Sequence, residues 1–112
     1  MKADGERAED TALAYLQNHG LKLRARNYRS RFGEIDLVLD DRGTLVFVEV
    51  RKRSNPRFGS AAESITATKR DRLIATARQY LGSLRREVPC RFDAVLIDGA
   101  GSVEWVRDAF GA

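Results

Sequence analysis

Two carboxylates, Asp36 in GEIDLV and Glu49 in VFVEVR, stand where a metal-assisted reaction on a phosphate can be built. Both stretches read as strands, joined into a hairpin by a short polar turn around DDRG. The hydrophobic pattern sets the register of that hairpin. With Arg42 and Gly43 in the middle of the turn, Leu39 faces Val46, Leu37 faces Val48 and Ile35 faces Val50, making one apolar face. On the other face Asp40 meets Leu45, Val38 meets Phe47, Asp36 meets Glu49 and Glu34 meets Arg51. A shift of one residue would mix acids into the apolar face.

This register places the Cβ atoms of Asp36 and Glu49 roughly 4.5–5.5 Å apart. Two ionised carboxylates so placed repel unless a cation or a shared proton intervenes. Mg²⁺ (or Mn²⁺) resolves the repulsion, because a hard divalent cation takes oxygen ligands and keeps several waters. Those open positions suit polarising a phosphoryl oxygen and activating a water. The alternative is that both acids fan apart into solvent or pair with nearby arginines. Arg51 has two readings as well: a cross-strand ion pair with Glu34, or a fixed charge that stabilises a phosphodiester under attack. It is unsuited to act as a general base, because its guanidinium stays protonated.

The elements that must hold these residues follow from periodicity. Residues 4–19 read as a helix, with Ala8, Ala12, Tyr15 and Leu16 at helical spacing and Gly20 as its stop. Residues 21–27 alternate as a first strand. A second helix is predicted over roughly 66–86, with Leu73, Ile74, Ala77, Tyr80, Leu81 and Leu84 along one face. Thr68 and Asp71 form a candidate capping box, with a start a few residues earlier as the equal alternative, and Pro89 is the expected terminator. RFDAVLI reads as a buried strand carrying Asp93, suited to a polar network, and SVEWVRDAF as a closing segment. The order predicts an α/β domain with a mixed sheet and flanking helices.

Composition narrows the field. The 112 residues fit one domain, with 43% hydrophobic and 32% charged residues. No stretch approaches the ~20 apolar residues that cross a bilayer. MKADGERAED lacks the apolar run of a secretory signal, so cytoplasm is the expected location, without a membrane partner. The lone Cys90 excludes an internal disulfide, and His19 alone argues against a histidine metal site. Net charge is +4, and the distribution is uneven: Arg24, Arg26, Arg29 and Arg31 form one cluster, Arg51, Lys52, Arg53 and Arg57 another. Such patches either neutralise nucleic-acid phosphates or are simply solvated. Tyr15, Tyr80, Trp105 and Phe110 suit a core or dimer contact, whereas Tyr28 and Phe32, flanked by arginines, are better placed to touch nucleic acid.

GEIDLV followed by VFVEVR resembles the core motif of the PD-(D/E)XK nuclease superfamily, in which one strand supplies an acid and the next Glu-x-Lys. More narrowly, the chain resembles the YraN-like family through GERAEDTALAYL, RNYRSRFGEIDLV, VFVEVRKRSNPRFGSAAESI, KRDRL, ARQYL and RFDAVLI, in order across nearly its whole length. The resemblance implies a single domain with a restriction-endonuclease-like core, its mixed sheet of four or five strands lying between helices. It also implies similarity to archaeal Holliday-junction resolvases, which cut branched DNA as dimers. The implied function is metal-dependent hydrolysis of phosphodiesters in structured DNA, with a homodimer as the working form.

Carried over by motif, Asp36 and Glu49 are the metal-binding and catalytic acids, with the Val50 carbonyl as a further ligand. Glu9 is either the additional acid of resolvase-like members or a surface glutamate beside Asp10. Lys69 is expected to contact phosphate, approach the site or remain solvated, joining Arg29, Arg31, Lys52 and Arg53 as DNA-binding candidates. One departure matters: Arg51 stands at the lysine position of Glu-x-Lys. Lys52 does not replace it from the strand, since adjacent side chains point to opposite faces. A non-catalytic DNA-binding module that retains the nuclease fold therefore stays open, as does an interaction protein whose basic face meets an acidic partner.

Overall fold

Ala8, Ala12 and Leu16 recur every four residues, and all three are buried. They form the inner stripe of α1 (Asp4–Asn18). The computed structural model describes residues 4–53 and 65–111. Helix α1 stops as expected at Gly20, whose φ of 90° is one that glycine adopts freely. There the Leu21 N–H reaches Leu16 O at 3.1 Å and the Gly20 N–H reaches Gln17 O at 3.0 Å, the paired bonds of a Schellman stop.

Three antiparallel strands follow: β1 (Lys22–Ser30), β2 (Gly33–Asp41) and β3 (Thr44–Arg53). Helix α2 (Ala67–Ser83) precedes β4 (Cys90–Asp98), which lies parallel to β3, and β5 (Val103–Phe110) closes the edge antiparallel to β4. The sheet order is β1-β2-β3-β4-β5, an α/β arrangement consistent with a restriction-endonuclease-like core. Helix α1 covers Leu37, Leu39, Val46, Val48, Val95 and Ile97. Helix α2 covers the opposite face, where Val38, Leu45, Phe47, Phe92, Ala94 and Leu96 lie. Buried on both sides, the central strands are apolar almost without interruption.

The hairpin register holds from Asp41–Thr44 to Leu37–Val48. Arg42 and Gly43 occupy the turn with φ of 53° and 96°, the left-handed pair that matches strand twist. Beyond Leu37–Val48 the pairing stops, one step short of Asp36 and Glu49. The expected pairs Asp36–Glu49, Ile35–Val50 and Glu34–Arg51 are therefore not formed, and Ile35 does not share the face of Leu37 and Leu39. It packs under α2 together with Val38. In β1, Ala25 and Tyr28 likewise both pack toward α2, with Asn27 between them at a φ of 53°. Residues three apart share a face only where period-two alternation is interrupted, and such irregularities re-aim neighbouring side chains.

Helix α2 starts within the expected range but not at the candidate capping box, and it ends earlier than expected. Its cap is Thr66, not Thr68: Thr66 Oγ1 accepts the Lys69 N–H at 3.2 Å. The helix ends at Ser83, ahead of Pro89, where the Leu84 N–H turns back to Leu81 O. The Pro89 carbonyl instead accepts the Leu45 N–H at 2.9 Å, so the approach to β4 is tied to the sheet.

Candidate functional site

Asp36 sits where the β2–β3 ladder opens. Its Oδ2 accepts the Val50 N–H at 2.8 Å, so a side chain takes the strand donor that a backbone carbonyl would otherwise fill. Glu49 lies one residue earlier on β3 and is only 5% exposed. Its Oε1 is 3.0 Å from Lys69 Nζ and 3.9 Å from an Arg51 guanidinium nitrogen. Lys69 reaches it from the first turn of α2, whose start the Thr66 cap sets. Both acids therefore converge at one sheet end, with the first turns of the two helices beside them.

The electrostatics follow from this crowding. Burial, and then the charge of Glu49, push the Asp36 carboxyl from 3.8 up to about 7; the Val50 N–H and Lys69 act the other way. Burial also raises the Glu49 carboxyl, while its hydrogen bond and charge pairing with Lys69 oppose the shift, helped by Arg51. A carboxyl poised near neutrality beside a second acid carries out proton or metal chemistry more readily than an ordinary surface carboxylate.

Two clefts share these groups. One of about 250 Å³ is lined by Gly33, Glu34, Asp36, Glu49, Lys69 and Arg72. The other, about 440 Å³, adds Glu9, Val50, Arg51 and Lys52 on the α1 side. A hollow of about 450 Å³ at the far end of the hairpin contains Arg24, Asp40, Tyr80 and Arg86. There Arg24 already pairs with Asp40 at 3.5 Å, so size does not mark the reactive place.

Glu9 reaches the second cleft but is held. Arg26 Nε lies 3.4 Å from its Oε1, and the same guanidinium reaches Asp10 at 2.6 Å. With its amide nitrogen turned toward the acids, Asn27 donates to Glu9 Oε1 at 3.0 Å and Glu34 Oε1 at 2.8 Å. Glu34 pairs with Arg29 at 3.2 Å, not with Arg51 as the register alone suggested, because the pairing has ended before it. Among the described residues no three acidic, histidine or cysteine side chains converge as a metal cage. The donor set is two carboxylates in an open cleft. That suits Mg²⁺, which commonly takes one or two carboxylates and retains water on its other positions.

Of the basic candidates, Lys69 enters the acid pair, Lys52 is exposed and lines the larger cleft, and Arg29 is exposed while bridged to Glu34. Arg31 is exposed and lies over the Phe32 ring. Arg57 and the side chain of Arg53 fall outside the described residues. Sequence reasoning missed Arg72 and Asn27. Helical spacing was a signal for Arg72, three residues after Lys69; the tolerance of asparagine for left-handed backbone was one for Asn27. Asp93 is fully buried but spoken for: it accepts Trp105 Nε1 and the Asp108 N–H, each at 2.9 Å, and Arg91 Nε at 3.0 Å.

Fold and site together define a small α/β domain with a lysine-linked acid pair at the open end of its central hairpin. The chain belongs to the uncharacterised protein family UPF0102, whose model matches residues 8–97. It is similar to a UPF0102 protein of Nitrosomonas europaea, 56% identical over 108 residues that cover 95% of this chain and 92% of that one. Another, from Ralstonia nicotianae, is 59% identical over 114 residues, covering 97% and 87%. One from Methylobacillus flagellatus is 53% identical over the full length of both. Among the described residues no helix is long and apolar enough to cross a membrane.

Proposed function

We propose that this protein is a metal-dependent phosphodiester hydrolase of the PD-(D/E)XK kind, acting in the cytoplasm on structured DNA, as a homodimer similar to resolvases. The observation that carries the reading is the Glu49–Lys69 contact of 3.0 Å beside the near-neutral Asp36 carboxyl. Asp36 and Glu49 would hold Mg²⁺ or Mn²⁺. A divalent ion there supplies Lewis-acid polarisation and a water of lowered pKa.

The chain's own groups do the rest. The Val50 N–H fixes the Asp36 carboxylate, which lines both clefts. Lys69 stands where the ammonium missing from the third motif position is needed: it orients Glu49 and offers a proton donor to the phosphate. Arg51 adds fixed charge without proton transfer. Lys52 and Arg72 line the two clefts, and together with Arg29 and Arg31 at the β1–β2 turn they would engage flanking phosphates. Arg51 in the motif also keeps a second reading alive, a DNA-binding module without turnover.

Labelled linear, flapped and four-way DNA, incubated with Mg²⁺ or Mn²⁺, tests this. Wild type is expected to cut, Asp36→Asn and Glu49→Ala to lose activity by about a hundredfold or more, and Lys69→Met to fall by a similar order. Binding without cutting by wild type would favour the non-catalytic module. Cutting that survives both acid substitutions would place the chemistry elsewhere.

A further inference from the structure

The β1–β2 turn presents an aromatic ring that the core does not use. Phe32 is 42% exposed, and the only other large hydrophobic side chain so exposed among the described residues is Leu23, near the opposite end of β1. The turn beneath Phe32 is fastened. Its N–H donates to Ser30 Oγ at 3.0 Å, and Ser30 Oγ lies 2.8 Å from Thr76 Oγ1 on α2. The Thr76 hydroxyl also reaches Arg72 O at 2.9 Å, and Ser30 Oγ reaches Gly33 O at 3.4 Å, so the turn is tied both to itself and to α2. The ring is thus exposed on a rigid mount.

Its surroundings name the partner. The Arg31 guanidinium lies 4.8 Å from the Phe32 ring centroid. The next two residues, Gly33 and Glu34, line the smaller acid cleft with Arg72. Neither Arg31 nor Arg72 makes an ion pair among the described residues. An exposed apolar ring with one guanidinium beside it, on a turn whose next residues line a cleft with a second arginine, suits a nucleobase face flanked by phosphate. In continuous duplex each base face is already covered by its neighbours, so the ring has a surface to meet only where stacking is interrupted.

We propose that Phe32 stacks on an exposed base at a break in DNA stacking (a gap, flap or junction) and thereby sets the adjacent phosphodiester at the Asp36–Glu49 cleft. This deepens the nuclease reading above and rests on its nucleic-acid part. It assigns the substrate class to Phe32, and the cutting chemistry to the acids.

The test separates the two. Metal-free binding of gapped, flapped and continuous duplexes of equal length is measured at one salt concentration for wild type, Phe32→Ala, Phe32→Leu and Phe32→Tyr. Wild type and Phe32→Tyr are expected to prefer the interrupted forms. Phe32→Ala and Phe32→Leu should lose about tenfold in that preference while binding continuous duplex as before, since leucine is apolar but has no π face. A 2-aminopurine at the gap should change fluorescence on binding wild type and not Phe32→Ala. Equal weakening on every DNA, or a preference that Phe32→Ala retains, would overturn the stacking role and leave the nuclease reading standing. Wild type that binds no DNA form would overturn both. Circular dichroism confirms the fold of each variant, and Phe32→Tyr, which keeps ring and bulk, tests the proposal should the alanine variant not fold.

Discussion

Asp36 is held by one neighbour and opposed by another: the Val50 N–H donates to it while Glu49 repels it. Its carboxyl titrates near 7 when folded against 3.8 as the ordinary value, so between those limits the folded state binds the extra proton. Stability in the absence of metal therefore falls as pH rises from about 4 to about 7, then levels off. Asp36→Asn keeps the acceptor for Val50 and removes the charge. In calorimetry at pH 8 without metal its Tm should lie about 5 °C above wild type, the shift that roughly 1 kcal/mol produces in a domain of this size. The difference should vanish near pH 4. An equal difference at both pH values would mean that charge is not the cause. Asn27 works at the same scale, turning the β1 backbone and spending its amide on two acids that would otherwise repel.

Helix α2 sets the position of Lys69 through its first turn. The Thr66 hydroxyl caps the Lys69 N–H itself, so cap and ammonium belong to one residue's geometry. Thr66→Ala should cost about 1 kcal/mol in urea unfolding, the usual loss for such a cap. Fraying of that turn should also lower cleavage more than Thr66→Ser does, because serine retains the acceptor. If Thr66→Ala unfolds as wild type does, the cap is not what starts the helix. In mid-β4, opposite Val48, Asp93 joins β4 to β5 through Trp105 and Asp108 and is tied to Asp41 through Arg91, which reaches Asp41 at 2.9 Å. That network stiffens the strands behind Glu49 without entering the cleft.

Over the whole molecule the surplus of positive charge is small, +4, but it is unevenly committed. Arg24 and Arg26 are engaged by Asp40, Glu9 and Asp10, and Arg91 by Asp41 and Asp93. Among the described residues neither Arg31, beside the Phe32 ring, nor Arg72, in the acid cleft, makes an ion pair, so on the proposed nuclease reading these two are assigned to phosphates. DNA affinity should therefore fall steeply with salt, and Arg31→Ala and Arg72→Ala should each reduce the slope of log K against log salt by about 1. Arg24→Ala, whose partner is Asp40, should leave the slope near its wild-type value. Binding isotherms at several salt concentrations decide this, and unchanged slopes in the first two variants would remove them from the interface.

Much of the hairpin was legible from residues alone, for a local reason. Period-two alternation and the left-handed pair Arg42-Gly43 specify pairing between neighbours in the chain, so the register from Asp41–Thr44 to Leu37–Val48 follows directly. The stripe of Ala8, Ala12 and Leu16 and the stop at Gly20 are local in the same sense. Where Ile35 turns, which acid Arg29 takes and how Asn27 bridges Glu9 and Glu34 depend on the interruption of alternation, which a strict pattern hides. The arrival of Lys69 at Glu49, twenty residues further along the chain, was decided by the packing of α2 across the sheet. Periodicity reports which face of an element is buried; the ammonium that meets a carboxylate is chosen by where that element lies once both faces of the sheet are covered.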